Sequence, residues 1–263
     1  MKPGLFPHAG FVQFRIMPGD VDANLQRVRD KIADMEPSSG TIVVLPELWA
    51  GGFDYPNMPV LAARTPEMLR EMQDLAAAFD IHLAGSLAEE AGKGDRPGVF
   101  FNTLFVVGPQ GVRGSYRKHK LFSLWREDDY FSPGPLPEPI TTACGDLAPL
   151  ICFDLRFPGL AGRQGATGVP LLVISAQWPL VRISQWRILV RARAIENQLF
   201  VVACNSCGKS GDLLLGGHSM IVAPDGTILL EAGEGEAGEK TALDEKILYR
   251  LRARFRTIDS SFT

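Results

Sequence analysis

Cys152 closes an apolar run, Leu147-Ala148-Pro149-Leu150-Ile151, and is followed at once by Phe153-Asp154-Leu155-Arg156-Phe157-Pro158. A thiol at the exit of a buried strand, facing a polar turn that opens a helix, sits where an α/β enzyme can present a nucleophile. Backbone N–H groups and the positive end of the helix are expected to lower its pKa and gather negative charge beside it. One cysteine is weak evidence, because free cysteine is commonly a small core residue. Two further residues strengthen the case. Glu47 follows Ile42-Val43-Val44-Leu45-Pro46, a run that would carry its carboxylate to a sheet end, and Lys118 lies in Arg117-Lys118-His119-Lys120. Desolvation at a sheet end raises a carboxylate pKa toward the range useful for moving protons. Amide hydrolysis through a thiol needs a nucleophile, a base that returns its proton to the departing amine, donors for the oxyanion, and room for water. Cys152, Glu47, and Lys118 with the backbone N–H of Phe153 could fill the first three needs. Spacing alone does not bring them together, and each has a plain reading as core thiol, strand-end acid or solvated basic loop.

The elements that must position these residues alternate short apolar runs with helical stretches. Strands are expected at Phe11–Met17, Thr41–Leu45, Ile81–Leu87, Val99–Val107, Gly111–Tyr116, Asp146–Ile151, Pro170–Ser175, Leu199–Asn205, His218–Ala223, Thr227–Glu231 and Thr241–Tyr249. Pro109-Gln110-Gly111 and Pro224-Asp225-Gly226 read as hairpin turns. Helical spacing predicts helices over Val21–Met35, Pro66–Phe79 and Ser184–Asn197, and a short one over Phe157–Arg163. The acidic, Gly-rich Glu231–Lys240 reads as a solvated loop. Helices alternate with strands early and hairpins come later, which predicts mixed sheets, and this many strands favours two packed sheets over one open sheet. Nothing resembles an interdomain linker, so residues 1–263 read as a single domain, with 251–263 a C-terminal tail.

Composition excludes several partners. A net charge of −3 argues against nucleic acid, which usually demands a basic surplus. No segment approaches the ~18 apolar residues of a membrane span, and the N-terminal stretch lacks a signal-peptide apolar core. Four cysteines in 263 residues do not suggest a disulfide scaffold, and a reducing cytoplasm is expected. Cys204 and Cys207 form a lone C-x-x-C without a second pair of metal ligands, read here as a strand-end coincidence. No metal or other cofactor is expected: no H-E-x-x-H cluster and no nucleotide-binding glycine loop occurs.

Three segments, Leu45-Pro46-Glu47-Leu48-Trp49, Tyr116-Arg117-Lys118-His119-Lys120-Leu121-Phe122 and Ile151 to Pro158, resemble the signature blocks of the nitrilase superfamily of carbon–nitrogen hydrolases, in that family's order. The resemblance extends to Gln13-Phe14, Asn24-Leu25, Phe101-Asn102-Thr103, Arg193 to Gln198, Gly217-His218-Ser219 and Pro224-Asp225-Gly226, nearly the whole chain. It implies an α/β fold, an αββα sandwich of two mixed β-sheets flanked by helices, with Glu47 as general base, Lys118 as oxyanion-stabilising lysine and Cys152 as nucleophile. The stretch Glu127 to Gly134 matches the family's second glutamate and the turn after it, which makes Glu127 the candidate for holding the lysine. One place departs from the pattern. The family has histidine two residues after the lysine, whereas this chain has Lys120 there and His119 one place earlier; Leu121-Phe122 anchors the block and keeps Lys118 in the catalytic place. A second cation at 120 could depress the pKa of Lys118 or turn outward.

The region Ser175 to Arg182, with Trp186 and the helix after it, resembles the ω-amidase branch, which implies release of ammonia from terminal amides such as 2-oxoglutaramate or 2-oxosuccinamate. Phe153, Trp178 and Arg182 are the candidate substrate-binding residues, with Trp178-Pro179 as a rigid wall and Arg182 or Lys120 as the cation for an anionic substrate. Arg156 is expected in a buried ion pair instead, and Arg193 and Glu196 in structural roles. The partners implied are a small amide substrate, water and a second copy of the chain, as a homodimer or larger homo-oligomer. Two other readings stand beside this one: another amidase or N-carbamoyl amino acid hydrolase of the same family, and a non-catalytic metabolite-binding protein on the same fold.

Overall fold

A computed structural model describes residues 4–92 and 98–255. One six-stranded sheet contains β1 (His8–Gln13), β2 (Thr41–Val44), β3 (His82–Glu90), β4 (Phe100–Gly108), β5 (Gly111–Arg117) and β14 (Ala237–Ala242), in the order β14-β1-β2-β3-β4-β5. The second contains β6 (Ile140–Thr141), β7 (Asp146–Ile151), β8 (Leu171–Ala176), β9 (Phe200–Asn205), β12 (Met220–Val222) and β13 (Ile228–Glu231), in the order β13-β12-β9-β8-β7-β6. Both are mixed: β1-β2-β3 and β7-β8-β9 run parallel, and the outer strands antiparallel. A separate hairpin joins β10 (Cys207–Ser210) to β11 (Leu213–Gly216). The helices are α1 (Val21–Met35), α2 (Met58–Ala63), α3 (Thr65–Phe79), α4 (Pro158–Ala166), α5 (Ile183–Asn197) and α6 (Glu245–Arg254).

Period-two alternation along the strands builds the layers. On the first sheet, Phe11, Ile42, Val44, Ala84, Leu104 and Val106 join the core shared with the second sheet. Their neighbours Val12, Val43, Leu83, Phe105 and Val107 join a separate cluster with Val28 and Ile32 of α1 and Met68 and Met72 of α3. Strands β7, β8 and β9 are apolar on both faces, as expected of parallel strands covered on each side: their outer face meets α4 and α5 through Leu160, Trp186, Val190 and Ala194. The resulting order is helices, sheet, sheet, helices, the expected αββα sandwich.

The predicted helices and nearly all strands occur within a few residues of their expected limits. The C-terminal third differs. Thr241–Tyr249 is not a strand: β14 ends at Ala242, and Asp244 caps α6 by accepting from the backbone N–H of Lys246 at 2.9 Å. Ile247, Leu248 and Leu251 fall at helical spacing, with Leu248 buried. Part of the expected loop Glu231–Lys240 belongs instead to β14, whose Gly238 and Lys240 pair with Val12 and Gly10. An edge strand of intermediate exposure tolerates the polar AGEKTA sequence, which therefore carries no apolar signal. Residues 251–254, expected in the tail, complete α6, and 256–263 lie outside the described residues. The hairpin β10–β11 and the short α2 carry too little periodicity to be read in advance.

Trp186 links this core to the region after β8. It is fully buried, its ring centroid lies 5.6 Å from that of Trp178, and its indole N–H donates to the His218 carbonyl at 2.7 Å. Trp186→Ala is expected to cost about 3–5 kcal/mol, the usual range for emptying a large aromatic site. Urea unfolding followed by circular dichroism measures it.

Candidate active site

Each of the three central residues leaves the end of a strand and is pinned there by backbone contacts. After β2 the chain turns at Leu48, which adopts a left-handed φ of 45° and donates its N–H to the Ser86 hydroxyl at 2.7 Å. Glu47 is tied across to the second sheet: the Gln177 side-chain amide donates to its carbonyl at 2.9 Å, and the Gln177 N–H to its Oε2 at 3.2 Å. Lys118 follows β5, its N–H bonded to the Asn102 carbonyl on β4 and its carbonyl to the Gly134 N–H, both at 2.8 Å. Cys152 follows β7 with a left-handed φ of 43° and begins a short turn that leads through Phe157 into α4. A cysteine in this region is sparsely populated, and strained positions of this kind collect at reactive sites.

These turns converge. The Lys118 ammonium donates to Glu47 Oε1 at 2.7 Å and to both oxygens of Glu127 at 2.8 Å. All three side chains are buried, none more than 2% exposed. Glu127 is fixed further by the Phe122 N–H, 2.7 Å from its Oε2. Its neighbours Asp128 and Asp129 are exposed, and Asp129 pairs on the surface with Arg126. Cys152 lies close enough to Glu47 and to the Gln177 backbone for both to act on its thiol. The structure thus brings the four residues singled out in the sequence, Glu47, Lys118, Glu127 and Cys152, to one buried place.

Asn102 was quoted only as part of a matching motif, yet it completes the cluster. Its amide donates to Glu47 Oε1 at 2.9 Å and to Glu127 Oε1 at 3.1 Å, placing a donor between two like charges. A polar amide in a mostly apolar β4 was the available signal. Tyr55 was missed altogether. Its ring stacks on Tyr130 with centroids 4.9 Å apart, and its phenol pKa is pushed up by burial and then by the charges of Glu127 and Glu47.

The electrostatics revise one expectation. The cluster holds two carboxylates against one ammonium, so a thiolate would add a second uncompensated negative charge in a site away from water. Burial, then the charge of Glu47, push the Cys152 thiol well above its ordinary range, and Lys118 only partly opposes them. The resting residue is a thiol, contrary to the lowered pKa expected from the turn. Burial also raises the Glu47 carboxyl, against the pull of Lys118. Burial by itself lowers the Lys118 pKa, but Glu127 and Glu47 together outweigh it and hold the group charged. Lys120 does not depress it: the Lys120 ammonium sits 5.1 Å from the centre of the Phe157 ring. His119, displaced from the family's place, bonds through Nδ1 to the Gly134 carbonyl at 2.8 Å.

A narrow pocket of about 20 Å³ opens beside Cys152, its walls including Phe153, Trp178 and Arg182, all three of the expected substrate-binding residues. Arg156 lines it as well, which corrects the expected ion pair. Its guanidinium donates to Gln185 at 2.7 Å and lies 4.7 Å from the centre of the Trp178 ring, and among the described residues no carboxylate pairs with it. It is half-buried at the pocket wall, reached by the turn after Cys152, where no acidic side chain of the described residues meets it. Burial and then the charge of Arg182 lower the Arg156 pKa. Two cations thus face a pocket whose walls, among the described residues, include no acid. Cys204 and Cys207 lie elsewhere: Cys204 is buried in β9 with its thiol donating to the Val12 carbonyl at 3.3 Å, and Cys207 begins β10.

The sign of the Cys152–Glu47 coupling is directly measurable. Glu47→Gln removes the charge that raises the thiol pKa and leaves Lys118 as the dominant neighbour. The pH midpoint of Cys152 alkylation by iodoacetamide, followed by intact mass, should therefore fall relative to the unmodified sequence. An unchanged or higher midpoint would contradict this account of the site.

Residues 8–248 match the carbon–nitrogen hydrolase family. A 2-oxoglutaramate amidase of Bacillus subtilis (strain 168) is 34% identical over 236 residues, covering 89% of each chain. A 2-oxoglutaramate amidase of Paenarthrobacter nicotinovorans is 35% identical, covering 89% of this chain and 82% of its own. Among solved structures, a CN-hydrolase superfamily protein of Xanthomonas campestris with an arsenic adduct in its active site superposes with a TM-score of 0.87 at 26% identity, covering 97% of this chain and 96% of the other. With the match spanning both sheets and every strand end that carries the buried cluster, the chain belongs to the carbon–nitrogen hydrolase family of the nitrilase superfamily.

Proposed function

We propose that this carbon–nitrogen hydrolase is an ω-amidase that removes ammonia from the terminal amide of a small 2-oxo dicarboxylic acid monoamide, such as 2-oxoglutaramate or 2-oxosuccinamate. The observation that carries the reading is a buried thiol close to the buried Glu47–Lys118 pair, in the wall of a narrow pocket that faces two arginines without an acidic partner among the described residues. A substrate with an amide at one end and a carboxylate at the other fits that arrangement. The amidase relatives from Bacillus and Paenarthrobacter act on a molecule of this kind, by their names.

In this mechanism Cys152 Sγ attacks the amide carbon while Glu47 takes the thiol proton. The carbonyl oxygen becomes an oxyanion that accepts from Lys118 Nζ and from the Phe153 N–H. Glu47 then delivers its proton to the nitrogen, the C–N bond breaks, and ammonia leaves a thioester on Cys152. Water attacks the thioester as Glu47 takes a second proton. The C–S bond breaks, the sulfur regains its proton, and the acid departs. Glu127 and Asn102 hold Lys118 and Glu47 in place throughout, while Phe153, Trp178, Arg182 and Arg156 seat the substrate. A base that both takes and returns the proton suits a carboxyl raised by burial.

The free state of Cys144, Cys152, Cys204 and Cys207 supports a cytoplasmic setting. Exposed Val181, Ile188 and Ile195, on and just before α5, support a homodimer or larger homo-oligomer.

The test is ammonia release from 2-oxoglutaramate, 2-oxosuccinamate, deaminated glutathione and an N-carbamoyl amino acid. The small 2-oxo amides should be preferred, and Cys152→Ala should lose at least about 10³-fold in kcat, as nucleophile deletions do. Arg156→Ala should raise KM for the anionic amides far more than for a neutral amide of similar length. Release only from the carbamoyl substrate would move the reading to a carbamoylase. No release from any, with no acyl adduct on Cys152 by mass, would leave a binding protein on the same fold.

A further inference from the structure

Asp154 lies two residues beyond Cys152, is fully buried, and makes no bond to Cys152, Glu47 or Lys118 among the described contacts. The mechanism above does not use it. Its Oδ2 accepts from the Ile151 N–H at 3.0 Å and from the Tyr116 hydroxyl at 2.8 Å, and its Oδ1 accepts from the Lys120 N–H at 2.8 Å. The Tyr116 hydroxyl in turn accepts from the His119 N–H at 3.1 Å. One carboxylate therefore grips the residue before the nucleophile and, on the other side, residues that flank Lys118 on both sides.

The two segments it joins come from different sheets. Tyr116 belongs to β5 and Ile151 to β7, and the sulfur and the ammonium project from the two strand ends. Nothing in either strand's own hydrogen bonding fixes one end relative to the other. An ionised carboxylate suits the task because it only accepts, through two oxygens and about four lone-pair directions. An amide has one accepting oxygen, so it could serve Ile151 and Tyr116 or Lys120, but not both sides. The left-handed Cys152 lies between Ile151 and Asp154, inside the loop that the carboxylate closes. Burial pushes the Asp154 carboxyl up to about 6, against the opposing charge of Lys118, so it stays predominantly ionised at neutral pH.

We propose that Asp154 is a positioning residue for amide hydrolysis, its carboxylate locking the nucleophile turn to the lysine loop and so setting where Cys152 Sγ stands relative to Lys118 Nζ and Glu47. This rests on the amidase reading above. It also accounts for Lys120 in the family's histidine place. The lock uses the backbone N–H of residue 120, leaving its side chain free to lie against Phe157.

Asp154→Asn should break the Lys120 side of the lock, and Tyr116→Phe should remove the hydroxyl link while leaving the other two bonds. Both are compared with the unmodified sequence in kcat and KM per titratable Cys152, and in the pH profile of Cys152 alkylation by iodoacetamide. Asp154→Asn is expected to lower kcat by about 10–100-fold with KM within about twofold, the scale of a misplacement near 1 Å. Tyr116→Phe should lower kcat several-fold, and both should shift the alkylation profile. A purely structural Asp154 would change the amount of folded protein but not these per-site quantities. Unchanged kcat and alkylation in both variants overturn the proposal, as does a rise in KM with kcat intact. If Asp154→Asn does not fold, Tyr116→Phe decides by the same criteria. If the unmodified protein hydrolyses no amide, the amidase reading falls by itself, and the alkylation profiles still decide whether Asp154 sets the thiol's surroundings.

Discussion

A single ammonium held between two carboxylates, all away from water, is the constraint on which the site depends. Lys118 neutralises one of the two charges it touches, and Asn102 supplies a second donor to both acids. Truncating one partner of a buried ion pair typically costs about 3–5 kcal/mol because the remaining charge is stranded. Here the loss of Lys118 would strand two. The surrounding fold answers this demand: Glu47 and Lys118 leave strand ends bonded to a neighbouring strand or to the opposite sheet, and Glu127 sits in a short turn where the Phe122 N–H holds it.

The two-sheet architecture makes that convergence possible. Glu47 and Lys118 come from one sheet and Cys152 from the other, so the site exists only if the sheets hold a fixed offset. The apolar layer between them, from Phe11 and Ile42 to Leu150 and Ile174, supplies much of the hold and is non-directional. The polar ties from Gln177 to Glu47 are directional and give register. Packing brings the strand ends near one another, and hydrogen bonds decide which atoms meet.

Much of this was legible in the sequence, for identifiable reasons. Strands such as β8 and β9 announce themselves because burial on both faces demands continuous apolar runs. Glu47, Lys118, Glu127 and Cys152 stand in motifs whose order resembles a family, which supplied the convergence that spacing could not. What was not legible depends on partners distant in sequence. The edge strand β14 is chosen by its pairing with β1 and not by its own residues. Arg156 was read as an ion-pair member because charge near an active turn suggests one, yet the structure brings Gln185 and Trp178 to it and, among the described residues, no acid. Asn102 leaves a faint local signal, an amide in an apolar strand, but its partners Glu47 and Glu127 are distant in sequence, and Tyr55 carries none.

Under the proposed mechanism, the proton inventory of the site explains how a thiol can work here without a histidine. In a cysteine–histidine pair, the imidazolium stabilises a thiolate that exists before substrate arrives. Here the nearest base is itself an anion, and two carboxylates with one ammonium already leave the cluster one charge negative. A free-standing thiolate would deepen that imbalance, which is the sense in which burial and Glu47 raise the Cys152 pKa. Proton transfer to Glu47 leaves the total charge of the site unchanged, since the acid is neutralised as the sulfur gains its charge. When the sulfur attacks, that charge moves to the carbonyl oxygen, beside Lys118. In the mechanism we propose, the anionic base therefore favours transfer coupled to attack over a standing thiolate, and the lysine receives the charge only once it reaches the oxyanion.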